Sequence, residues 1–334
     1  MRASGTLDWT FKGMRTLILE NDAIKLGILL DKGSDIFQLI YKPQDLDLMW
    51  HSPKGYKNPR DRIQTISEQK DAFTDNYGGG WNDVFPNYGF ASSNRGTKFG
   101  LHGESALLPW SCSGVDVMEL GVESKLHLDC IRYPIRAEKT IRMKSEGSGF
   151  SINEDLINIG EQEIELSWAQ HIAFGEPFVD QNLTIDIPAI RATTHDYEMA
   201  HERLKRNVEF EWPNAPGSDG NMVDLSKIPS KDLRVQEDFP ITKLASPQYT
   251  LYNKRLNVGL RVSWNSEAFP FLWYWLNWGI LNYPWFGRAR TLALEPTTTT
   301  STNGLQDSIN NGTAVVLKPL EKIHGEINVE IFRR

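Results

Sequence analysis

Glu295 stands near the end of the run RARTLALEPTTTT, where period-2 alternation sends Thr291, Ala293 and Glu295 to one side of a strand and Leu292 and Leu294 to the other. Pro296 biases the residue before it toward extended geometry, which holds the carboxylate at a strand end. A carboxylate behind a row of small side chains sits on a floor where a ligand can lie. The plainer alternative is an exposed Glu on a solvated face. The run ELSWAQHIAFGEPF repeats the division: Leu166, Trp168, Ile172 and Phe174 take one face, and Ser167, Ala169, His171 and Ala173 the other. A lone His is more often structural than catalytic, but the matched pattern on two strands weakens that alternative. A carboxylate and an imidazole, with ordinary pKa values of about 4.3 and 6.5, can hold complementary protonation states near neutral pH, as general acid–base chemistry requires.

A third stretch joins GGGWNDVFPNYG to KFGLHGESALLPW. Gly100 and Gly103 flank His102, so its backbone can be tight and a ligand can approach. His102 and Glu104 share a face if the segment is extended. Such a pair invites a metal, but two ligands with no third His nearby make a weak site, and no metal is expected. Eleven Trp residues are unusual. Most belong to a core, since large aromatics dominate burial. An aromatic wall is expected to contain Trp81 or Trp110, which stand beside the motifs, with Trp273, Trp275 and Trp278 as candidates for a further member.

The elements that must position these groups are strands. Residues 15–30 read as two strands around the Asn21-Asp22 turn, and IFQLIYK follows as another. Further strands fit 113–120, 122–132, 135–143, 149–158, 163–173, 183–186, 248–252, 257–264, 271–275, 289–295, 313–317 and 325–332. So many short strands between Gly, Asn, Asp and Pro predict an all-β fold, a large antiparallel β-sandwich. Polar stretches near 53–80, with a short helix near Ser67–Phe73, and near 195–240 read as insertions or lids. No linker divides the chain, so 1–334 is expected to be one domain.

Composition excludes several partners. The net charge of −7, without any basic stripe, argues against nucleic acid. No apolar run is long enough to span a bilayer or serve as a signal sequence. Cys112 and Cys130 read as reduced thiols, so the cytoplasm is expected.

In order, Gly79-Gly80-Trp81, Phe85-Pro86-Asn87, His102-Gly103-Glu104 with Trp110, His171–Phe178 and Leu294-Glu295-Pro296 resemble the aldose 1-epimerase (galactose mutarotase-like) superfamily, closest to a less characterised bacterial branch. The resemblance spans residues 79–296 and implies a β-supersandwich that interconverts the anomers of a free sugar. It implies Glu295 as the base taking the proton of the anomeric hydroxyl, His171 as donor to the ring oxygen, and His102 as a group that holds the sugar and polarises that oxygen. Trp81, Asp83, Asn87, Glu104, Trp110 and Glu176 are then expected to bind the substrate. No cofactor is required. The expected partner is a small carbohydrate, with a homodimer left open as the assembly. Asp83, Glu104 and Glu176 favour a neutral sugar over a phosphate, whereas Arg95, Arg288 and Arg290 argue the other way. Two other functions compete: a non-catalytic sugar-binding or sensing protein, and a hydrolase or lyase pairing Glu295 with Asp83 or Glu176.

Overall fold

A computed structural model describes residues 2–61 and 72–334. Among these residues two large sheets dominate, one of twelve strands and one of eight, and the neighbours in both are antiparallel. In the smaller sheet, alternation is plain. Gly149–Asn158 buries every second residue, and Lys322–Phe332 beside it does nearly the same. One face meets the core and the other meets water.

The middle of the larger sheet is different. Trp81–Val84, Ala169–Gly175, Arg290–Thr297, Phe271–Trp278 and Val235–Leu244 lie side by side in that order. Ala169–Gly175 is buried at every position. One face packs on the smaller sheet, as where Phe174 meets Tyr249 and Trp81 meets Phe150. Loops cover much of the other. Burial on both faces is what gives a sheet a sheltered floor.

Most expected strands are present with ends shifted by a few residues. The expected strand 163–173 is two strands, Ile164–Leu166 and Ala169–Gly175, which belong to different sheets. Val235–Leu244 runs into the stretch read as an insertion. The helix expected near Ser67–Phe73 lies mainly outside the described residues, and a short helix covers Ala72–Asn76. Among the described residues no helix is long and apolar enough to cross a membrane.

Charge is buried in the protein. Lys139 reaches Asp83 at 2.7 Å and Glu154 at 3.5 Å, and Lys32 pairs with Asp35. Burying an ion is costly unless it is paired, and Lys139 and Lys32 each have a carboxylate beside them.

Candidate active site

Four neighbouring strands carry the candidate chemistry. Ala169 lies opposite Thr297 and Ala173 opposite Ala293, which sets His171 level with Glu295 on adjacent strands. Trp273 faces Glu295 from the next strand, and Trp275 faces Ala293. One strand further, Asp238 lies opposite Trp275 and Gln236 opposite Asn277. Directly opposed residues share a face, so this set leaves the sheet away from the sandwich core, while Ile172, Leu292 and Leu294 point into the core.

Loops complete the site. His102 comes from a tight turn and has a positive φ of 59°. Its N–H donates to the Gly89 carbonyl at 2.9 Å, and the Gly89 N–H donates back to His102 Nδ1 at 3.2 Å. With Nδ1 accepting, the neutral ring carries its hydrogen on Nε2. Tyr77 follows the Ala72–Asn76 helix, and Tyr88 follows the Trp81–Val84 strand.

These groups surround a cleft of about 520 Å³ that His102, His171 and Glu295 all line. His171 Nε2 lies 3.4 Å from Glu295 Oε1, and the rings of His102 and His171 are 5.6 Å apart. Tyr88 donates to Glu295 Oε2 at 2.9 Å, and the Tyr77 hydroxyl lies 3.3 Å from His171 Nδ1. The result is a chain of four residues, Tyr77, His171, Glu295 and Tyr88.

Burial sets the charge states. It raises the Glu295 carboxyl well above the usual carboxylate range, against the Tyr88 hydrogen bond and with help from the Asp238 charge. It holds His171 down at about 4 and His102 well below its ordinary value. Loss of water penalises each charged form. Burial thus works against the charged form of each member of a pair only 3.4 Å apart.

The expected substrate-binding residues lie elsewhere. Trp81 and Asp83 sit opposite Ile172 and Gln170, so both point into the sandwich. Trp81 donates to Gln170 at 2.6 Å, and Asp83 accepts from Trp168 at 2.7 Å besides pairing with Lys139. Trp110 is fully buried beneath the Lys139 ammonium, 4.2 Å from its ring centre. Asn87 is a clamp between loops: its Oδ1 accepts the Leu305 N–H at 2.7 Å, and its Nδ2 donates to the carbonyls of Phe90 and Gly100. The turn at His102 breaks the extended geometry that would put Glu104 on the same face. Glu104 instead accepts the N–H groups of Ile131 and Arg132. Glu176 pairs with Lys231 at the surface. Gly103 approaches the Phe85 backbone, not a ligand: a Cβ there would meet the Phe85 carbonyl oxygen at 2.6 Å.

The aromatic wall is also redistributed. Trp273 and Trp275 line the cleft, joined by Trp285, while Trp278 is fully buried. The alanine floor is roofed, since Ala173 and Ala293 cluster with Trp50, Tyr77 and Trp285. Asp238 and Tyr197 were not anticipated. Tyr197 donates to Asp238, as does the Trp273 indole, and burial raises this carboxyl too.

The antiparallel sandwich has the galactose mutarotase-like fold, as its likeness to solved structures shows. A Klebsiella pneumoniae protein provisionally named an aldose 1-epimerase has a similar structure, with a TM-score of 0.76 at 15% identity over 99% of this chain and 83% of that one. A galactose mutarotase-like protein from Clostridium acetobutylicum aligns with a TM-score of 0.70 at 13% identity over 100% and 99% of the two chains. One from Lactobacillus casei gives 0.60 at 15% identity over 95% and 100%. The chain belongs to the family described as Domain of unknown function (DUF4432), whose model matches residues 11–331. No curated protein matches it.

Proposed function

We propose that this protein is an aldose 1-epimerase acting on a free, uncharged sugar. The observation that carries the reading is the approach of His171 Nε2 to Glu295 Oε1 at 3.4 Å, in an aromatic cleft that His102 also lines. Ring opening needs one proton removed from O1 and one delivered to O5. In the reactive arrangement the pair shares one proton, carried by His171 as an imidazolium beside the Glu295 carboxylate. Glu295 accepts the O1 proton while His171 donates to O5; the C1–O5 bond breaks as the C1–O1 double bond forms. Rotation about C1–C2 presents the other face of the aldehyde, and the reverse transfers close the ring. The isomerisation is redox-neutral and calls on no cofactor. His102, with its hydrogen on Nε2, is a neutral donor suited to a sugar oxygen.

A neutral substrate fits the lining. Among the described residues no Lys or Arg lines the cleft, and Arg95 is paired with Glu165. A cytoplasmic location goes with this reading. Exchange NMR on a panel of free aldoses tests it. Faster anomer exchange for at least one sugar supports the proposal. Binding without acceleration favours the non-catalytic sugar-binding alternative, and neither binding nor acceleration overturns both.

A further inference from the structure

We infer that Tyr77 is a positioning residue: its hydroxyl oxygen accepts a hydrogen from His171 Nδ1, so that Nε2 is the nitrogen that gains and loses the catalytic proton. The inference rests on the proposed anomer chemistry. His171 Nε2 lies 3.4 Å from Glu295 Oε1, and the other ring nitrogen, Nδ1, lies 3.3 Å from the Tyr77 hydroxyl. Whichever partner carries the shared proton, Nδ1 must keep a hydrogen of its own. With the proton on His171 the ring is an imidazolium and both nitrogens donate; with it on Glu295, Nε2 must be bare to take it back. A hydroxyl that accepts at Nδ1 suits both forms. One that donated there would move the ring hydrogen to Nε2 and leave no bare nitrogen beside Glu295. The backbone carbonyl of His171 works in the same direction, since it favours a proton on the ring and within one residue only Nδ1 can reach it.

Packing holds Tyr77 in place for this task. Its ring stacks on Phe73 at 5.1 Å and meets the His171 ring edge to face at 5.3 Å, with Trp50 at 5.5 Å. The glycines that follow set the path of the chain. Gly78 passes the Tyr56 ring, where a Cβ would come within 2.3 Å, and Gly79, at a φ of 93°, crosses the Trp50 carbonyl, where a Cβ would meet the oxygen at 2.1 Å. Only glycine fits there. The Gly80 N–H then donates to the same Trp50 carbonyl at 2.8 Å. The triple glycine thus brings Tyr77 over His171. A carboxylate in this position would favour the charged ring and resist its giving up a proton. Tyr77 is a hydroxyl that burial keeps from ionising, so it orients the ring without adding a charge.

Two measurements test the role. Nitrogen NMR of the wild type with labelled histidine, the His171 signals being assigned by their loss in His171→Asn, should show at neutral pH a hydrogen on Nδ1 and a bare Nε2. This reading needs no Tyr77 variant to fold. Tyr77→Phe keeps the ring in its aromatic surroundings and removes only the hydroxyl. Its kcat for anomer exchange should fall about tenfold, the low end for a hydrogen bond to a charged group, while KM changes less than about twofold. Its thermal transition checks that it folds. In a protein that turns over a sugar, a hydrogen on Nε2, an unchanged kcat or a loss confined to KM overturns the role of Tyr77 and leaves the anomer chemistry standing. A wild type that turns over no sugar overturns the chemistry, and the role with it.

Discussion

Tyr88 donates its hydroxyl hydrogen to Glu295 Oε2 at 2.9 Å, joining a loop residue to a strand residue 207 positions later in the chain. The bond favours the carboxylate form of a group that burial otherwise keeps protonated. Tyr88→Phe should therefore raise the Glu295 pKa further and make the base harder to generate. Hydrogen bonds to charged groups are worth about 1.5–3 kcal/mol, so kcat should fall about 10- to 100-fold. KM should change little. Steady-state kinetics separate the two effects, and a loss confined to KM would contradict this role.

The pH profile follows from the same pair. Below about 4 His171 gains a proton and the site holds two. Above the raised Glu295 value the carboxyl ionises and the site holds none. Activity should follow a bell with its acid limb near 4 and its alkaline limb well above the ordinary carboxylate range. His171→Asn should remove the acid limb. A limb at 6.5 in the wild-type kcat/KM would show that the imidazole is not desolvated.

Stability should carry the same signature. His171 and His102 are depressed in the folded state, so the unfolded chain binds protons first as the pH falls. The stability these neutral rings contribute is full above 6.5, and for His171 it is lost as the pH falls toward 4. Each histidine contributes a slope of about 1.4 kcal/mol per pH unit in that window. Denaturant titrations between pH 7 and 4 should show a shallower fall for His171→Asn than for the wild type.

Tryptophans should separate by role. Trp275→Leu should weaken sugar binding by about tenfold with a modest loss of stability, since it removes a flat apolar wall from the cleft. Trp110→Leu should cost roughly 2–4 kcal/mol of stability and leave the affinity of the folded protein unchanged. Sugar titrations alongside urea melts distinguish the two.

Alternation made Glu295 and His171 readable. Each sits among small residues on one side of a strand whose other side is plainly core, and position in a strand fixes direction. Trp81, Asp83, Trp110 and Glu104 share motifs with the site, but nearness in sequence does not decide which face a side chain takes. Trp81 and Asp83 occupy the core side of their strand because their neighbours across the ladder, Ile172 and Gln170, do. Asp238 was hidden by the charge around it. VQEDFPI alternates correctly, yet its buried Glu237 pairs with Arg203, which comes from the stretch read as an insertion. Only the tertiary partner explains that carboxylate, and Tyr88 meets Glu295 in the same way, through a loop whose path the local sequence does not dictate.

The central claim is that Glu295 exchanges a proton with the anomeric oxygen. Anomer exchange measured by NMR on a turned-over sugar, with wild type and Glu295→Gln side by side, tests it most directly. The amide keeps the size and hydrogen-bonding capacity of the carboxyl but cannot take the O1 proton. Sugar affinity should survive while the exchange rate falls by about 10²–10⁴, the usual worth of a general base. Glu295→Gln exchange at the wild-type rate, with the sugar still bound, would contradict the mechanism.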